Sequence, residues 1–349
     1  MEPKTAVPVA DRRKSSSPLL NTIPHGDREG EFLPAVHELV PTDAPSTVIV
    51  DLEDSIDHCV ALTRREGKTF YYTFITLPQA MFRDMCVLYA FMRITDDWAD
   101  DDSLPIEARD SALSRWRHDL QESLSGRPQG HVIFPALADL VSRHHIPQRL
   151  LSAVIDGVRS DLAPRQCENF QELQHYCYQV AGAVGLCCLR IWGCRDEAAA
   201  PLAIDCGTAF QLTNIMRDLA EDAAVGRIYL PADEMARFGY SADDLRAGVR
   251  NENFTSLMRF QAERAHMYYE KAGDLAAYLQ GPSRRVFRAM VSMYNTYLAE
   301  IERRKYDVFS RRVKLSTFRK LSVAFGAMLG AGAGHSVRRF RADPPSAGS

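Results

Sequence analysis

Apolar positions recur at three- and four-residue intervals from about Ile49 to Leu321, the spacing that gathers one face of an α-helix. The runs Ala80–Asp101, Leu150–Leu162, Phe170–Trp192, Ala198–Ala223, Phe254–Leu279 and Arg284–Tyr306 each predict a helix. Proline and glycine break the pattern at Leu104-Pro105, Gly126-Arg127-Pro128, Ile146-Pro147, Gly226 to Pro231 and Gly281-Pro282. Strand-like alternation is scarce, no solenoid period repeats, and no long linker divides the chain. The pattern predicts an all-α fold: one helical domain over residues 46–325, its helices arranged around a common cavity. Met1 to Pro45 carries Pro, Ser and Asp and is expected to be a disordered arm; residues 326–349 are expected to form a basic, flexible tail.

Composition narrows the function. The chain has 349 residues with 42 Lys+Arg against 45 Asp+Glu, a net charge of −3, 46% hydrophobic and 25% charged residues. That balance excludes a chain disordered throughout and removes any whole-molecule electrostatic case for nucleic acid. The longest weakly polar run, Leu321 to Gly334, has 14 residues, against the about 20 apolar residues that a bilayer span needs. Eight cysteines are scattered without a Cys-x-x-Cys pair, and the first residues lack a secretory signal's apolar stretch. A reduced cytoplasmic protein with buried thiols fits better than a disulfide scaffold or a zinc site.

Two acidic stretches carry the chemistry. In Leu88 to Asp101, Tyr89, Arg93, Asp96 and Asp100 fall at roughly 0°, 40°, −20° and 20° around a helix, one narrow stripe. In Gln211 to Asp222, Asn214, Asp218 and Asp222 fall at about −60°, −20° and 20° from Gln211. Carboxylates one turn apart repel, by about 0.2–0.5 kcal/mol when exposed and by more when buried. A divalent cation repays that repulsion better than Arg93 alone. A solvated acidic face is the structural alternative, but both ladders adjoin apolar and aromatic residues, among them Leu88, Phe91, Trp98, Phe210 and Leu212. Two facing carboxylate ladders suit several Mg²⁺ ions bridging a ligand such as a diphosphate.

The same stretches, Tyr89-Ala-Phe-Met-Arg93-x-x-Asp96-Asp97-x-x-Asp100 and Asn214-Ile-Met-Arg-Asp218-x-x-Glu221-Asp222, resemble the two Asp-rich signatures of the squalene/phytoene synthase family. Tyr176-Cys-Tyr-Gln-Val-Ala-Gly-Ala-Val-Gly185 and Gly226-Arg-Ile-Tyr-Leu-Pro231 resemble further family motifs, and Tyr306 to Arg312 resembles the C-terminal segment of phytoene synthases in particular. The resemblance covers about Gly67 to Leu321. It implies a helical isoprenoid-synthase fold and a head-to-head union of two prenyl diphosphates through a cyclopropylcarbinyl diphosphate.

The resemblance also implies roles. Asp96 and Asp100 would hold Mg²⁺ (or Mn²⁺) from the first ladder, and Asn214, Asp218 and Asp222 from the second. Asp97, Asp101 and Glu221 are second choices. Arg93 and Tyr89 would contact diphosphate, Gln211 would be a polar point of the site, and Tyr176 would aid proton removal or cation steering. Arg93, Tyr176, Asp96 and Asp218 are therefore the expected catalytic residues. A core tyrosine with a satisfied hydroxyl is the alternative for Tyr176. Lys68, Thr69 and Phe70 suit a phosphate-and-prenyl contact, although Gly67 stands where the family commonly has a serine. Arg227 would donate to the diphosphate from a lid; an ordinary helix-ending loop competes. Gly182 and Gly185 imply a prenyl chain or a neighbouring helix passing close.

The Tyr306–Arg312 segment and the Arg-Ile-Tyr-Leu-Pro loop favour two geranylgeranyl diphosphates with phytoene as the product. The alternative is two farnesyl diphosphates giving presqualene diphosphate, squalene or dehydrosqualene, since tunnel depth rather than motif separates C15 from C20 tails. NADPH would be needed only for squalene, and no glycine-rich dinucleotide loop is present. A non-catalytic lipid-pathway scaffold is the competing class, against which every ladder position holds a competent ligand. Arg303, Arg304, Lys305, Arg311, Arg312, Lys314, Arg319 and Lys320, then Arg338, Arg339 and Arg341, make a basic end. Three uses compete for it: closing the diphosphate site together with Tyr306, peripheral contact with anionic lipid on the inner membrane face, or a solvated helix end.

Overall fold

The fold is that of a computed structural model describing residues 50–127 and 130–316, with positions 319, 322, 323 and 326 beyond them. The arm over residues 1–45, the tail past residue 326, and the side chains of Lys68 and Thr69 lie outside the described residues. Helices follow one another almost without interruption: α1 (Leu52–Glu66), α2 (Lys68–Phe74), α3 (Gln79–Asp100), α4 (Ile106–Leu124), α5 (Phe134–His144), α6 (Gln148–Arg159), α7 (Phe170–Cys177), α8 (Ala183–Ile191), α9 (Ala199–Ala224), α10 (Ala232–Arg237), α11 (Ala242–Arg246), α12 (Glu252–Gly273), α13 (Leu275–Tyr278) and α14 (Gly281–Arg303). Side-chain caps start several of them. Asp51, Asn169, Ser241 and Asn251 each accept a bond from a first-turn amide.

Two expected single helices are broken. The run Phe170–Trp192 contains a π-helical turn at Tyr178–Gly182 between α7 and α8. The run Phe254–Leu279 divides at Asp274 into α12 and α13. Among the described residues the only sheet is a two-residue parallel pair, β1 (Arg165–Gln166) beside β2 (Arg227–Ile228), in register Arg165 with Arg227.

Helix α9 is central and packs against α8, α12 and α14. Its approach to the π turn is very close: a Cβ on Gly207 would stand 2.6 Å from the Gly182 nitrogen and 2.8 Å from the Ala181 carbonyl oxygen. A Cβ on Gly185 would stand 2.8 Å from the Ala203 carbonyl oxygen. Backbone contact between helices therefore requires Gly185, and Gly207 more strictly. These contacts also fix an antiparallel register, Gly182 beside Gly207 and Gly185 beside Ala203.

Candidate active site

One stripe of α9 faces an internal cavity: Ala203, Cys206, Gly207, Phe210, Gln211 and Asn214 line it. The stripe's spacing continues to Asp218 and Asp222, both buried. Helix α3 repeats the arrangement. Met85, Leu88, Tyr89 and Met92 line the cavity, and the same face continues to Asp96, which is buried, and Asp100. The cavity volume is about 120 Å³, and its walls are mostly apolar. Both helices thus run from an apolar wall to an acidic end.

The acidic end is crossed by guanidinium groups. Arg217 Nε donates to Asp218 Oδ1 at 2.9 Å, and Arg312 Nη2 donates to the same oxygen at 2.9 Å. Arg312 also stands 3.2 Å from Glu221. Arg227 Nη1 lies 4.0 Å from Asp100 Oδ1, while its Nε donates to the Asp161 carbonyl at 2.9 Å. Burial pushes Asp222 well above the usual carboxylate range and neighbouring Asp218 pushes it further; Arg227 opposes them. Asp222 Oδ2 is buried and accepts no hydrogen bond from the described residues. Gln211, buried on the cavity wall, accepts from Asn214 Nδ2 at 3.4 Å, and its own Nε2 has no acceptor there.

Among the described residues, no three His, Cys, Asp or Glu side chains are grouped closely enough to hold a metal unaided. Ladders of this kind offer one or two carboxylates per ion. That matches Mg²⁺, which usually takes its remaining ligands from water and substrate phosphate. The orphaned Asp222 oxygen beside Asp218 is a buried, all-oxygen donor set, so the residues fit a divalent cation.

Other expected residues have partners or places of their own in the fold. Arg93 pairs with Asp97, Nη2 to Oδ1 at 2.6 Å, so the carboxylate at the stripe's edge neutralises it. Asp101 accepts the Ser103 amide in a turn at 3.1 Å. Tyr89 and Phe70 line the cavity with ring centroids 5.7 Å apart. Arg227 is not on an exposed lid: β2 pins it, and Ile228, Tyr229 and Leu230 are buried with it. Tyr306 does not line the cavity. It has φ +62° just after α14, and its phenol lies in the field of Glu302, Arg259 and Glu263. Of the expected closing segment, it is Arg312 that reaches the ladder.

Tyr176 is fully buried and donates to Asp161 Oδ2 at 2.8 Å; Tyr229 donates to Asp161 Oδ1 at 2.7 Å. The two rings stack at 4.7 Å, with the Arg165 guanidinium 5.0 Å from the Tyr176 ring. Burial raises Asp161 above the ordinary carboxylate range, and Arg227 works against that rise. Arg165, Asp161 and Tyr229 were not among the expected site residues. Tyr229 and Arg217 lie inside the quoted motifs, whereas Asp161 follows α6 with no pattern to mark it.

A helical bundle around an apolar cavity with two acidic helix ends defines the isoprenoid-synthase class. Within it, the chain belongs to the squalene/phytoene synthase family, whose profile matches residues 63–319. It is 33% identical over 304 residues to the 15-cis-phytoene synthase of Synechococcus elongatus, covering 84% of this chain and 98% of that protein. It is 35% identical over 281 residues to the phytoene synthase of Arthrospira platensis, covering 77% and 90%. In structure it is similar to a dehydrosqualene synthase solved with a ligand (TM-score 0.73, 26% identity, 80% of this chain and 97% of that one). It is also similar to squalene synthase HpnC from Alicyclobacillus acidocaldarius (TM-score 0.69, 26% identity, 74% and 97%).

Proposed function

We propose that this chain joins two geranylgeranyl diphosphates head to head, through a cyclopropylcarbinyl diphosphate, to give phytoene. The observation that carries the reading is the shared polarity of α3 and α9, each leading from the apolar cavity to a buried carboxylate ladder. The identity to proteins named phytoene synthase, at 33–35% over most of their length in cyanobacteria, supports this product over others.

Asp96 and Asp100 on one side, and Asn214, Asp218 and Asp222 on the other, would hold Mg²⁺, or Mn²⁺ in its place. Bound there, the metal would take up negative charge developing on the departing diphosphate. Arg227, between Asp161 and Asp100, and Arg312, on Asp218, would add fixed positive charge at the same end. Gln211 Nε2, buried without an acceptor, would donate to substrate oxygen. Phe70, Tyr89 and the α9 wall exclude water from the allylic cation. Tyr176, held by Asp161, would orient the hydrogen-bond network beside the ladders rather than touch the cavity. Lys68 and Thr69 remain proposed phosphate contacts by motif alone.

A second reading, farnesyl diphosphate with squalene or dehydrosqualene as product, is favoured by the structural likeness to those synthases. NADPH would enter only if squalene is the product. No helix among the described residues is long and apolar enough to cross a membrane. Arg303, Arg304 and Arg319 bind Glu300, so part of their charge is spent within the fold, and peripheral contact with anionic lipid is proposed only for the basic end as a whole; Lys320, Arg338, Arg339 and Arg341 lie outside the described residues.

The test is incubation of the purified chain with radiolabelled farnesyl or geranylgeranyl diphosphate, with Mg²⁺ and then with EDTA, followed by product chromatography. Geranylgeranyl diphosphate should give phytoene in a metal-dependent way. Consumption of neither substrate by folded, metal-loaded protein would leave the scaffold reading.

A further inference from the structure

The cavity has a measurable depth, and Trp192 lines it at the end far from the acidic ladders. Along α9, Ala203 precedes Asp218 by fifteen residues, about 22 Å at the α-helical rise. Helix α8 runs antiparallel beside it, with Gly185 against the Ala203 carbonyl. Trp192 follows Gly185 by seven residues, so it lies about 10 Å beyond Ala203 in the direction away from the ladders. Trp192 nevertheless lines the same cavity, as do Leu275 and Phe287. Leu275 and Phe287 belong to a small apolar cluster around the start of α9, and Trp192, partly buried, packs against that cluster and against the main core.

Three features suit Trp192 to closing the space. It ends α8, where the Trp192 amide still bonds the Cys188 carbonyl at 2.9 Å, and Gly193 at φ +73° turns the chain away. Its large ring is backed by the α9 and α13 residues of that cluster. Its buried indole Nε1 has no hydrogen-bond acceptor among the described residues, so replacing the ring breaks no bond that the fold uses.

We propose that Trp192 is the floor of the prenyl tunnel and sets the longest tail the enzyme accepts, one isoprene unit beyond its natural substrate being excluded by the indole. The inference rests on the prenyl diphosphate reading above. Removing the ring opens space at that end without touching the acidic end, so the chemistry is retained and the length preference moves upward. Hydrophobic pockets discriminate weakly against short substrates but strongly against ones that clash. The change is therefore expected in acceptance of longer tails rather than in loss of shorter ones.

The experiment uses the full chain and the variants Trp192→Leu, Trp192→Phe and Leu275→Ala, each checked by circular dichroism. Binding of the C15, C20 and C25 prenyl thiodiphosphates is measured by calorimetry with Mg²⁺, and kcat/KM is measured for the C15, C20 and C25 diphosphates. The C25:C20 ratio should rise about tenfold or more in Trp192→Leu and Leu275→Ala, in binding and turnover alike, and stay near the parent value in Trp192→Phe. If Trp192→Leu does not fold, Leu275→Ala carries the same comparison. An unchanged ratio in the folded opening variants, or an equal loss of all three ligands, overturns the floor assignment. Binding of all thiodiphosphates without turnover of any diphosphate would instead refute the proposed reaction, while the binding ratios still decide the role of Trp192.

Discussion

Arg312 donates to one oxygen of Asp218 through two nitrogens, at 3.2 and 2.9 Å, across 94 residues of chain. This bond ties the extended segment after α14 onto the acidic end of α9, where Val313 and Leu315 are also buried. The Asp218 side chain is buried and Arg312 only partly so. The pair should therefore be worth about 1 kcal/mol or somewhat more, above the median for exposed pairs. Arg312→Gln should lower Tm by a few degrees and speed proteolytic cleavage within residues 305–315. Cleavage at the parent rate would mean that Val313 and Leu315 alone hold the segment.

Asp222 illustrates a conflict between stability and activity. Burial and Asp218 both disfavour its charge, and Oδ2 has no hydrogen-bond partner among the described residues. Asp222→Asn should therefore leave the metal-free protein as stable as the parent, or more stable by about 1 kcal/mol, while turnover falls by about a hundredfold or more. Asp96→Ala and Asp218→Ala should likewise abolish turnover with the helical circular dichroism intact. Thermal melts beside product assays decide this. A large loss of Tm in Asp222→Asn would show that its charge is structurally required.

Tyr176 and Tyr229 share one carboxylate, and that sharing predicts non-additivity. Tyr176→Phe removes one donor and leaves Asp161 its bond from Tyr229 at 2.7 Å, so a loss of about 1 kcal/mol is expected. Asp161→Leu leaves the two buried hydroxyls only their mutual bond at 3.2 Å and should cost about 2–4 kcal/mol. In the double variant the losses should fall short of their sum by about 1 kcal/mol or more, as denaturant melts of the four proteins would show. Strict additivity would mean that the hydroxyls do not depend on Asp161.

The long helices were legible because their apolar spacing is regular over many turns. Ala80–Asp101 was expected and α3 spans Gln79–Asp100; Ala198–Ala223 was expected and α9 spans Ala199–Ala224. Helix α4 was not among the expected runs. It buries only Leu113, Trp116, Leu120 and Ser123 of its 19 residues, too narrow a stripe to stand out against its charged face. The acidic ladders were legible because their ligands repeat along one helix. Asp161, Arg165 and the Arg312–Asp218 bond were not, since each joins positions far apart in sequence. The π turn at Tyr178–Gly182 lies where α9 comes closest, a Cβ added at Gly207 standing 2.6 Å from the Gly182 nitrogen, and that contact between distant segments leaves no local pattern in the sequence.

Glu300 should govern part of the acid sensitivity. It is buried and accepts from Arg303 at 2.6 Å, Arg304 at 3.0 Å and Arg319 at 3.3 Å. The Arg303 hydrogen bond chiefly, with help from the other two arginines, holds its carboxyl down to about 2 from an ordinary 4.5. A folded value below the unfolded one contributes stability that is complete above about pH 4.5 and is lost as pH falls toward 2. The full shift corresponds to about 3 kcal/mol; with Arg303 66% exposed, about 1–2 kcal/mol is expected. Glu300→Gln should therefore melt several degrees below the parent at pH 7, with the gap shrinking steadily between pH 4.5 and pH 3. A gap independent of pH would assign the loss to packing.

Two glycines in helices make opposite predictions from the same substitution. A Cβ added at Gly207 would stand 2.6–2.8 Å from backbone atoms, and backbone cannot step aside as a flexible side-chain tip can. Gly207→Ala must push α9 away from the π turn, separating Gln211 and Asn214 from the opposite cavity wall. A destabilisation of about 2–4 kcal/mol is expected, together with weaker binding of prenyl thiodiphosphate. Gly273 closes α12 with nothing within 4 Å of an added Cβ. There the methyl group only restricts the unfolded chain, so Gly273→Ala should stabilise by about 0.4–1 kcal/mol and leave binding unchanged. Denaturant midpoints for the two variants test the argument directly, because helix propensity alone would make both alanines favourable. A Gly207→Ala protein as stable as the parent would show that α8 and α9 are free to separate, and the register that places Trp192 at the end of the cavity would lose its support.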